Sequence, residues 1–218
     1  MKKIILITGL LTAIIACNDS GDNESTTTSS ASAHQPDSPH TEQSIDTSGM
    51  AGKSMMSIMQ SMMDNMKSIQ SSGNPDNDFV NMMKAHHLGA IEMAQIEVAK
   101  GSDEQIKQMA RKMMEDQQKE VAEFNTFLSG HTPHGGGDTY HKKALNIINS
   151  MKMDMDHAGS IDKQFAQMMI PHHQSAIDMS KAYLASGHEE KIKAMANNII
   201  ASQQKEIKDL QAWLDKTK

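Results

Sequence analysis

Cysteine is nearly absent from this chain of 218 residues, and the single copy, Cys17, has no partner for a disulfide within the chain. The fold must therefore be held by packing rather than by covalent cross-links. Aromatic residues are also scarce, at 3% of the sequence, so few of the usual bulky core side chains are available. Basic residues are too few to balance the acidic ones, and the resulting net charge of −6 argues against nucleic acid as a partner.

The N-terminal segment is predicted to be a secretion signal. Lys2 and Lys3 precede an apolar run over residues 4–16, which is too short to span a bilayer as a mature helix. The run ends in Ile-Ile-Ala-Cys17, which resembles the lipobox of bacterial lipoproteins, where the cysteine is acylated and becomes the first mature residue. We therefore expect a signal peptide over residues 1–16 and lipidation at Cys17; a plain signal peptide that ends elsewhere is the alternative. The mature chain, of net charge −8, would be lipid-anchored in the cell envelope, on its periplasmic or extracellular face.

Methionine takes the place of the missing residues, with 21 copies in the chain. Methionine packs adaptably but specifies a core poorly, so this excess favours a use for the sulfur. Residues 17–47 carry almost no large apolar side chain and are predicted to be a disordered membrane tether. Residues 48–73 are predicted to form a Met-rich helix, because Met55, Met59, Met62 and Met66 fall on one face. That stripe either docks the helix on the rest of the domain or binds metal.

The remainder of the chain contains an internal repeat at an offset of 86 residues. The repeat aligns Phe79 with Phe165, Met82-Met83 with Met168-Met169, His86-His87 with His172-His173, and Gln117-Gln118-Lys119-Glu120 with Gln203-Gln204-Lys205-Glu206. Each unit, residues 74–130 and 160–218, is predicted to be two antiparallel helices joined after a helix-ending glycine, Gly101 or Gly187. The predicted fold class is therefore all-α: a ferritin-like four-helix bundle from two tandem helical hairpins, plus the Met-rich N-terminal helix. Residues 131–159 form a linker with a short helix.

The repeated motif places histidine among apolar side chains on one helix face. Such a buried polar group needs a partner, which Gln117 or Glu120 on the neighbouring helix can supply to His86. Methionine and histidine at positions i and i+4 can both reach one ion. Met93 is about 10 Å further along the helix than His86, so it belongs to a different ion or meets one shared with Met109 across the hairpin. Thioether and imidazole ligands together suit Cu(I), and Ag(I) shares that preference. The candidate ligands in the two units are Met82, Met83, His86, His87, Met93, Met109, Met168, Met169, His172, His173, Met179 and Met195.

A second and more exposed cluster lies in the linker. Its donors alternate along the chain, which would align them on one side of an extended segment. The candidate ligands here are Met151, Met153, Met155 and His157.

The motif Phe-x-x-Met-Met-x-x-His-His-x-x-Ala-Ile-x-Met, followed by Gln-Gln-x-Glu, resembles the DUF305 family of ferritin-like helical proteins. The second unit, with Ile170-Pro171 before its histidines, is the closer match. The resemblance covers about half of the chain and implies a copper role for the positions that match the motif. These are His86, His87, Met93, His172, His173 and Met179. Members of the family include envelope copper-binding proteins implicated in copper tolerance.

We therefore expect a copper-binding lipoprotein that sequesters or transfers Cu(I), contributes to copper tolerance and is not an enzyme. A copper-efflux or chaperone protein would be its partner. One alternative is a metal-free structural or interaction lipoprotein whose methionines bind hydrophobic partners. The other is a ferritin-like metal-dependent oxidase, but di-iron bundles use Glu-x-x-His motifs and this sequence contains none.

Overall fold

The computed structural model of the chain describes residues 52–152 and 159–217, and these form six α-helices. The helices are α1 (Met55–Ser68), α2 (Pro75–Lys100), α3 (Glu104–Gly130), α4 (Thr139–Ser150), α5 (Ile161–Leu184) and α6 (Glu190–Lys216). No strand occurs within the described residues, and the predicted all-α fold with two tandem hairpins is confirmed. The predicted signal peptide, Cys17, the tether, Met153, Met155 and His157 lie outside the described residues.

Local side chains fix where the helices begin. Ser54 and Ser57 form a capping box at the start of α1, each side chain accepting from the other's backbone N–H. Asn74 caps α2, which begins with Pro75 at a position where no backbone donor is needed. Asp103 caps α3 in the same way as Asn74 caps α2.

The hairpins associate through their first helices. Helix α2 packs against α3, α5 packs against α6, and α2 and α5 contact each other. Helix α2 is therefore covered from more than one side, since α1 and α4 also contact it. Burial around α2 places consecutive residues such as Met82 and Met83, or His86 and His87, in the core together.

The methionine stripe of α1 is a packing surface. Met55, Met59, Met62 and Met66 are all at most 4% exposed, and α1 lies against α2. Gly89 of α2 makes room for this contact, because a Cβ at that position would lie 2.7 Å from Met62 Cγ. Of the two predicted uses of the stripe, these contacts support docking of α1 on the bundle.

The turns of the hairpins are closed by carboxylates from the opposite hairpin. Asp76, in the first turn of α2, accepts hydrogen bonds from the hydroxyl of Tyr183 and from the backbone N–H groups of His188 and Glu189. Burial alone would raise the pKa of Asp76, but these donors outweigh it and hold the pKa below its ordinary value.

The equivalent residue in the second hairpin, Asp162, makes the reciprocal contacts. It accepts hydrogen bonds from the backbone and hydroxyl of Ser102 and from the backbone N–H of Asp103. Burial opposes ionisation here too, yet the donors lower the pKa of Asp162 to about 2. We call the contacts of Asp76 and Asp162 the crossed turn caps, because each hairpin caps the turn of the other.

The glycines before these turns differ from the expected helix-ending type. Gly101 has a φ of −64° and a ψ of 156°, which is extended backbone open to any residue. The requirement is for space instead: a Cβ at Gly101 would collide with the Glu97 carboxyl group, and a Cβ at Gly187 would collide with the Tyr183 ring. None of the described helices is long and apolar enough to cross a membrane.

Candidate metal centre

Four histidine side chains, two from each hairpin, cross the middle of the bundle. His86, His87, His172 and His173 have no exposed surface. The rings of His86 and His172 lie 3.7 Å apart between centroids, while His87 lies 6.3 Å from His86 and His173 lies 5.9 Å from His172. We call this arrangement, in the order His87, His86, His172 and His173, the imidazole row.

A glutamate stands at each end of the row. The Nε2 atom of His87 lies 2.7 Å from Glu120 Oε2, and that of His173 lies 2.9 Å from Glu206 Oε2. The two carboxylates are partly exposed, so the row connects the core to the surface at both ends. Because a carboxylate only accepts, the Nε2 atom of His87, which hydrogen-bonds to Glu120, carries the proton. Neither ring nitrogen of His173 forms a hydrogen bond among the described residues.

The two inner histidines find partners in the opposite hairpin. Ser175 donates its hydroxyl proton to the backbone oxygen of His172, so the Ser175 oxygen accepts from His86 Nε2 at 2.8 Å. His172 Nε2 donates to the backbone oxygen of His86 at 3.2 Å. The predicted partners of His86, Gln117 and Glu120, are therefore wrong. A wheel drawn for one hairpin could not place α5 against this side of α2.

All four histidines are thus left with the same unused atom. Their Nδ1 atoms are buried and have no hydrogen-bond partner among the described residues. The hydrogen bonds of His86, His87 and His172 place the proton on Nε2, so their Nδ1 atoms present a lone pair, which is the form in which imidazole binds a metal ion. A buried acceptor left without a partner costs about 1–3 kcal/mol, so the row carries an unfavourable energy that a ligand can relieve.

Burial keeps the inner histidines uncharged. It lowers the pKa of His86 and His172 well below the ordinary value, and the nearby histidines lower both further. A protonated imidazole has no lone pair to give, so this shift preserves both rings as neutral donors at neutral pH.

Most of the predicted methionine ligands of the two hairpins are buried in the same core as the row. Six of them are at most 1% exposed, namely Met82, Met83, Met93, Met168, Met169 and Met179. Met195 is 7% exposed, and Met109 and Met151 are partly buried against the core. Within residues 52–152 and 159–217, the row does not bring three imidazole or carboxylate donors within 4.8 Å of one another. A metal ion held there would therefore need thioether sulfurs as well.

A groove between α3 and α6 leads towards one end of the row. Its volume is about 190 Å³, and Met109 and Met113 line it on the α3 side. Glu206, which contacts His173, lines the opposite side. Asp116 and Asp209 also line the groove, where they pair with Lys112 and Lys205. The groove thus offers soft sulfur and anionic oxygen on the way to a buried imidazole.

A family model and several solved structures match this chain. The family model described as "Domain of unknown function (DUF305)" matches residues 12–128 and 131–217. Solved structures of a protein called CopM, in Cu(I)-bound, Cu(II)-bound and Ag-bound forms, are 28–29% identical to this chain with TM-scores of 0.50–0.51. The match covers 65% of this chain and 95–97% of CopM.

Two further relatives carry less information. A DUF305 fragment from Deinococcus radiodurans is 19% identical, with a TM-score of 0.50 over 65% of this chain and 96% of the fragment, and so supports the fold alone. The uncharacterized protein L153 of Acanthamoeba polyphaga mimivirus is 46% identical over 57 residues. Those residues are 26% of this chain, and the match spans only 38% of the viral protein.

Proposed function

Since this chain belongs to the DUF305 family, as the match over nearly its whole length shows, we propose that it binds copper at the imidazole row and the methionines around it. The observation that carries the proposal is the set of four buried Nδ1 atoms without a hydrogen-bond partner among the described residues. Copper-bound structures of a relative with 28–29% identity support it independently.

The ligand types favour the reduced ion. Thioether sulfur is a soft donor, and a buried site of thioethers and neutral imidazoles stabilises Cu(I) over Cu(II) and over hard ions. Since Ag(I) has the same preference, the Ag-bound form of CopM is consistent with such a donor set. We infer that the cargo is Cu(I), held between thioethers and the Nδ1 atoms of the row.

The groove between α3 and α6 supplies an entry route. Lys112 and Lys205 pair with Asp116 and Asp209, so the carboxylate left to attract a cation is Glu206, and the sulfurs of Met109 and Met113 offer that cation soft ligands. Rotation of the Glu206 side chain would then pass the ion to His173. Such a graded path suits a protein that takes up and releases copper, so sequestration and transfer are the roles that we propose.

The cellular setting remains that inferred from the N-terminal sequence. We propose a lipoprotein anchored through Cys17 in the cell envelope, where a copper-efflux or chaperone protein exchanges copper with it. Methionine ligands suit an oxidising compartment, in which clustered thiols would form disulfides. We assign no catalytic role, and the proposed contribution to copper tolerance follows from binding alone.

The test separates thioether ligation from thioether packing. Replacing Met82, Met83, Met168 and Met169 by leucine keeps a similar side-chain volume but removes four sulfurs of the repeated motif. We expect this variant of residues 18–218 to lose at least about tenfold in Cu(I) affinity, because Cu(I) at this site depends on soft donors. The measurement is an anaerobic Cu(I) titration against a chromophoric chelator.

The matched control replaces four buried methionines of α1, Met55, Met59, Met63 and Met66, by leucine. It removes as many sulfurs from the same core but none from the motif. Equal Cu(I) binding by both variants and the parent would contradict thioether ligation at the motif and move the copper site elsewhere. Absence of Cu(I) binding by the parent would instead favour a metal-free interaction protein. Circular dichroism and thermal melting establish that both variants are folded.

A further inference from the structure

A group of metal-binding side chains lies apart from the imidazole row, where the loop after α3 meets the start of α6. His131, His134 and Glu189 each offer one donor atom, and these atoms lie within 4.8 Å of one another. We propose that they form a second metal site, for a divalent ion of the Cu(II) or Zn(II) type. None of these residues belongs to the repeated motif, and the site is independent of copper binding at the row.

The hydrogen bonds of His131 present its other nitrogen to a ligand. Its Nδ1 atom lies 2.8 Å from the side-chain oxygen of Asn77, which can only accept, so the proton is on Nδ1. The lone pair is therefore on Nε2, which lies 3.3 Å from Glu189 Oε1. Orientation of a ligating histidine through its second nitrogen is the usual arrangement in protein metal sites.

The imidazole of His134 is likewise oriented by a hydrogen bond at its other nitrogen. Its Nδ1 atom donates to the backbone oxygen of Thr132 at 2.7 Å, which leaves the Nε2 lone pair free. The backbone around it is fixed as well, because Asn74 donates to the His134 carbonyl at 2.7 Å and Pro133 restricts the preceding residue. The loop therefore holds this ligand in place without a metal.

Two acceptors facing each other need a cation between them. The Nε2 lone pair of His131 and the Glu189 carboxylate repel when His131 is neutral, and that Nε2 atom is buried without a hydrogen-bond donor among the described residues. A metal ion removes the repulsion, and so does a proton on Nε2. The presence of a third donor from His134 favours the metal, because an ion pair of His131 and Glu189 makes no use of it.

The spacing and ligand types determine the class of ion. Metal bonds to imidazole nitrogen and carboxylate oxygen are about 2.0–2.2 Å long, so donors around one ion lie about 3.3–4.3 Å apart. The pair at 3.3 Å already fits, and the exposed side chains of His134 and Glu189 can close the remaining gap. Two imidazoles and one carboxylate, without sulfur, suit Zn(II) and Cu(II), with Cu(II) bound more tightly.

The experiment measures Zn(II) and Cu(II) binding to the full chain, solubilised in detergent and free of any histidine tag. The triple variant His131→Gln, His134→Gln, Glu189→Gln is expected to bind one equivalent fewer of either ion by equilibrium dialysis. The single variant Glu189→Gln changes only a surface carboxylate and should weaken Zn(II) binding at least about tenfold. The Cu(II) electron paramagnetic resonance spectrum of the parent should show coupling to two imidazole nitrogens that the triple variant lacks.

Glu190→Gln is the matched control, because it removes the next carboxylate along the chain, which pairs with Lys193 instead. It should bind as the parent does. Equal stoichiometry and affinity in the parent and the Glu189→Gln variant would overturn the proposal and leave His131 and Glu189 as an ion pair. Anaerobic Cu(I) titration of the triple variant separates the two proposals, since binding at the row should be unchanged.

Discussion

The two hairpins match at the centre of the bundle and differ where each meets its surroundings. Both supply a pair of histidines to the row, and both place a glutamate, Glu120 or Glu206, beside the outer histidine. The position equivalent to Ser175, whose hydroxyl joins His86 to His172, is Gly89 in the first hairpin. Gly89 instead accommodates Met62 of α1. The duplication thus provides two equivalent pairs of histidines, while the equivalent residues Gly89 and Ser175 differ because their neighbours differ.

A second difference lies at the crossed turn caps. Tyr183 donates its hydroxyl proton to Asp76, and the equivalent residue beside Asp162 is Glu97. No donor from the described part of the chain reaches either oxygen of Glu97. Two carboxyl groups can share a hydrogen bond only if one carries a proton. Burial first, and then the charge of Asp162, raise the pKa of Glu97 to about 8, so this residue is protonated at neutral pH and replaces the tyrosine hydroxyl.

The largest effect is expected from breaking either crossed turn cap. Asp76→Ala and Asp162→Ala each leave three donors of the opposite hairpin without an acceptor. We expect each to lower the free energy of unfolding by about 3 kcal/mol, because three donors that are mostly part-buried lose their acceptor and each costs roughly 1 kcal/mol. The corresponding fall in Tm is about 6–12 °C, measured by circular dichroism.

The control for both is Asp64→Ala, at an exposed position on α1, which should change stability by no more than about 0.5 kcal/mol. A much larger loss for one aspartate than for the other would mean that the two caps are not equivalent, despite their matching contacts.

A smaller effect tests the difference between Gly89 and Ser175. The substitution Gly89→Ser brings a Cβ to 2.7 Å from Met62 Cγ and should cost about 1–3 kcal/mol through overpacking. Met62→Ala creates the missing space, so the double variant should be more stable than the sum of the single effects predicts, by about 0.5–3 kcal/mol. Urea denaturation of all four proteins gives this coupling energy. Strictly additive effects would show that contact with Met62 is not the reason why position 89 requires glycine.

The smallest effect is a change in pH dependence at Glu97. Its folded pKa of about 8 is above the ordinary value of 4.5, so its contribution to stability is complete below pH 4.5 and is lost as the pH rises through 8. Glu97→Gln cannot ionise and keeps a donor for Asp162. Between pH 5 and pH 9 we expect the Tm of the parent to fall by several degrees more than that of the variant. Parallel curves would show that Glu97 is already ionised at pH 5.

Much of this architecture could be predicted from the sequence, because the repeat and the helical periodicity are local signals. They indicated two hairpins, an additional Met-rich helix and a core that contains the repeated histidines. The partner of each histidine could not be predicted, because the helical wheel describes one helix and His86 meets α5 while His87 meets α3. The crossed turn caps join residues 59 to 113 positions apart, and no periodic pattern marks such contacts.

The group of His131, His134 and Glu189 was missed for a similar reason. A His-x-x-His pair before three glycines is a weak signal in a loop, and Glu189 is remote in the sequence. Only the packing of the α3 end against the start of α6 brings the carboxylate to the imidazoles. Nothing described tests the linker cluster of Met151, Met153, Met155 and His157, so its role stays a prediction.

The crossed turn caps also constrain the order of events in folding. A chain is synthesised from its N-terminus, and Asp162, which closes the first turn, follows Ser102 by 60 residues. The first hairpin is therefore complete in sequence well before its turn can close, and its inner face has no partner until α5 arrives. Neither turn cap can therefore form before the second hairpin is present, and both caps depend on contacts distant in sequence, which form slowly.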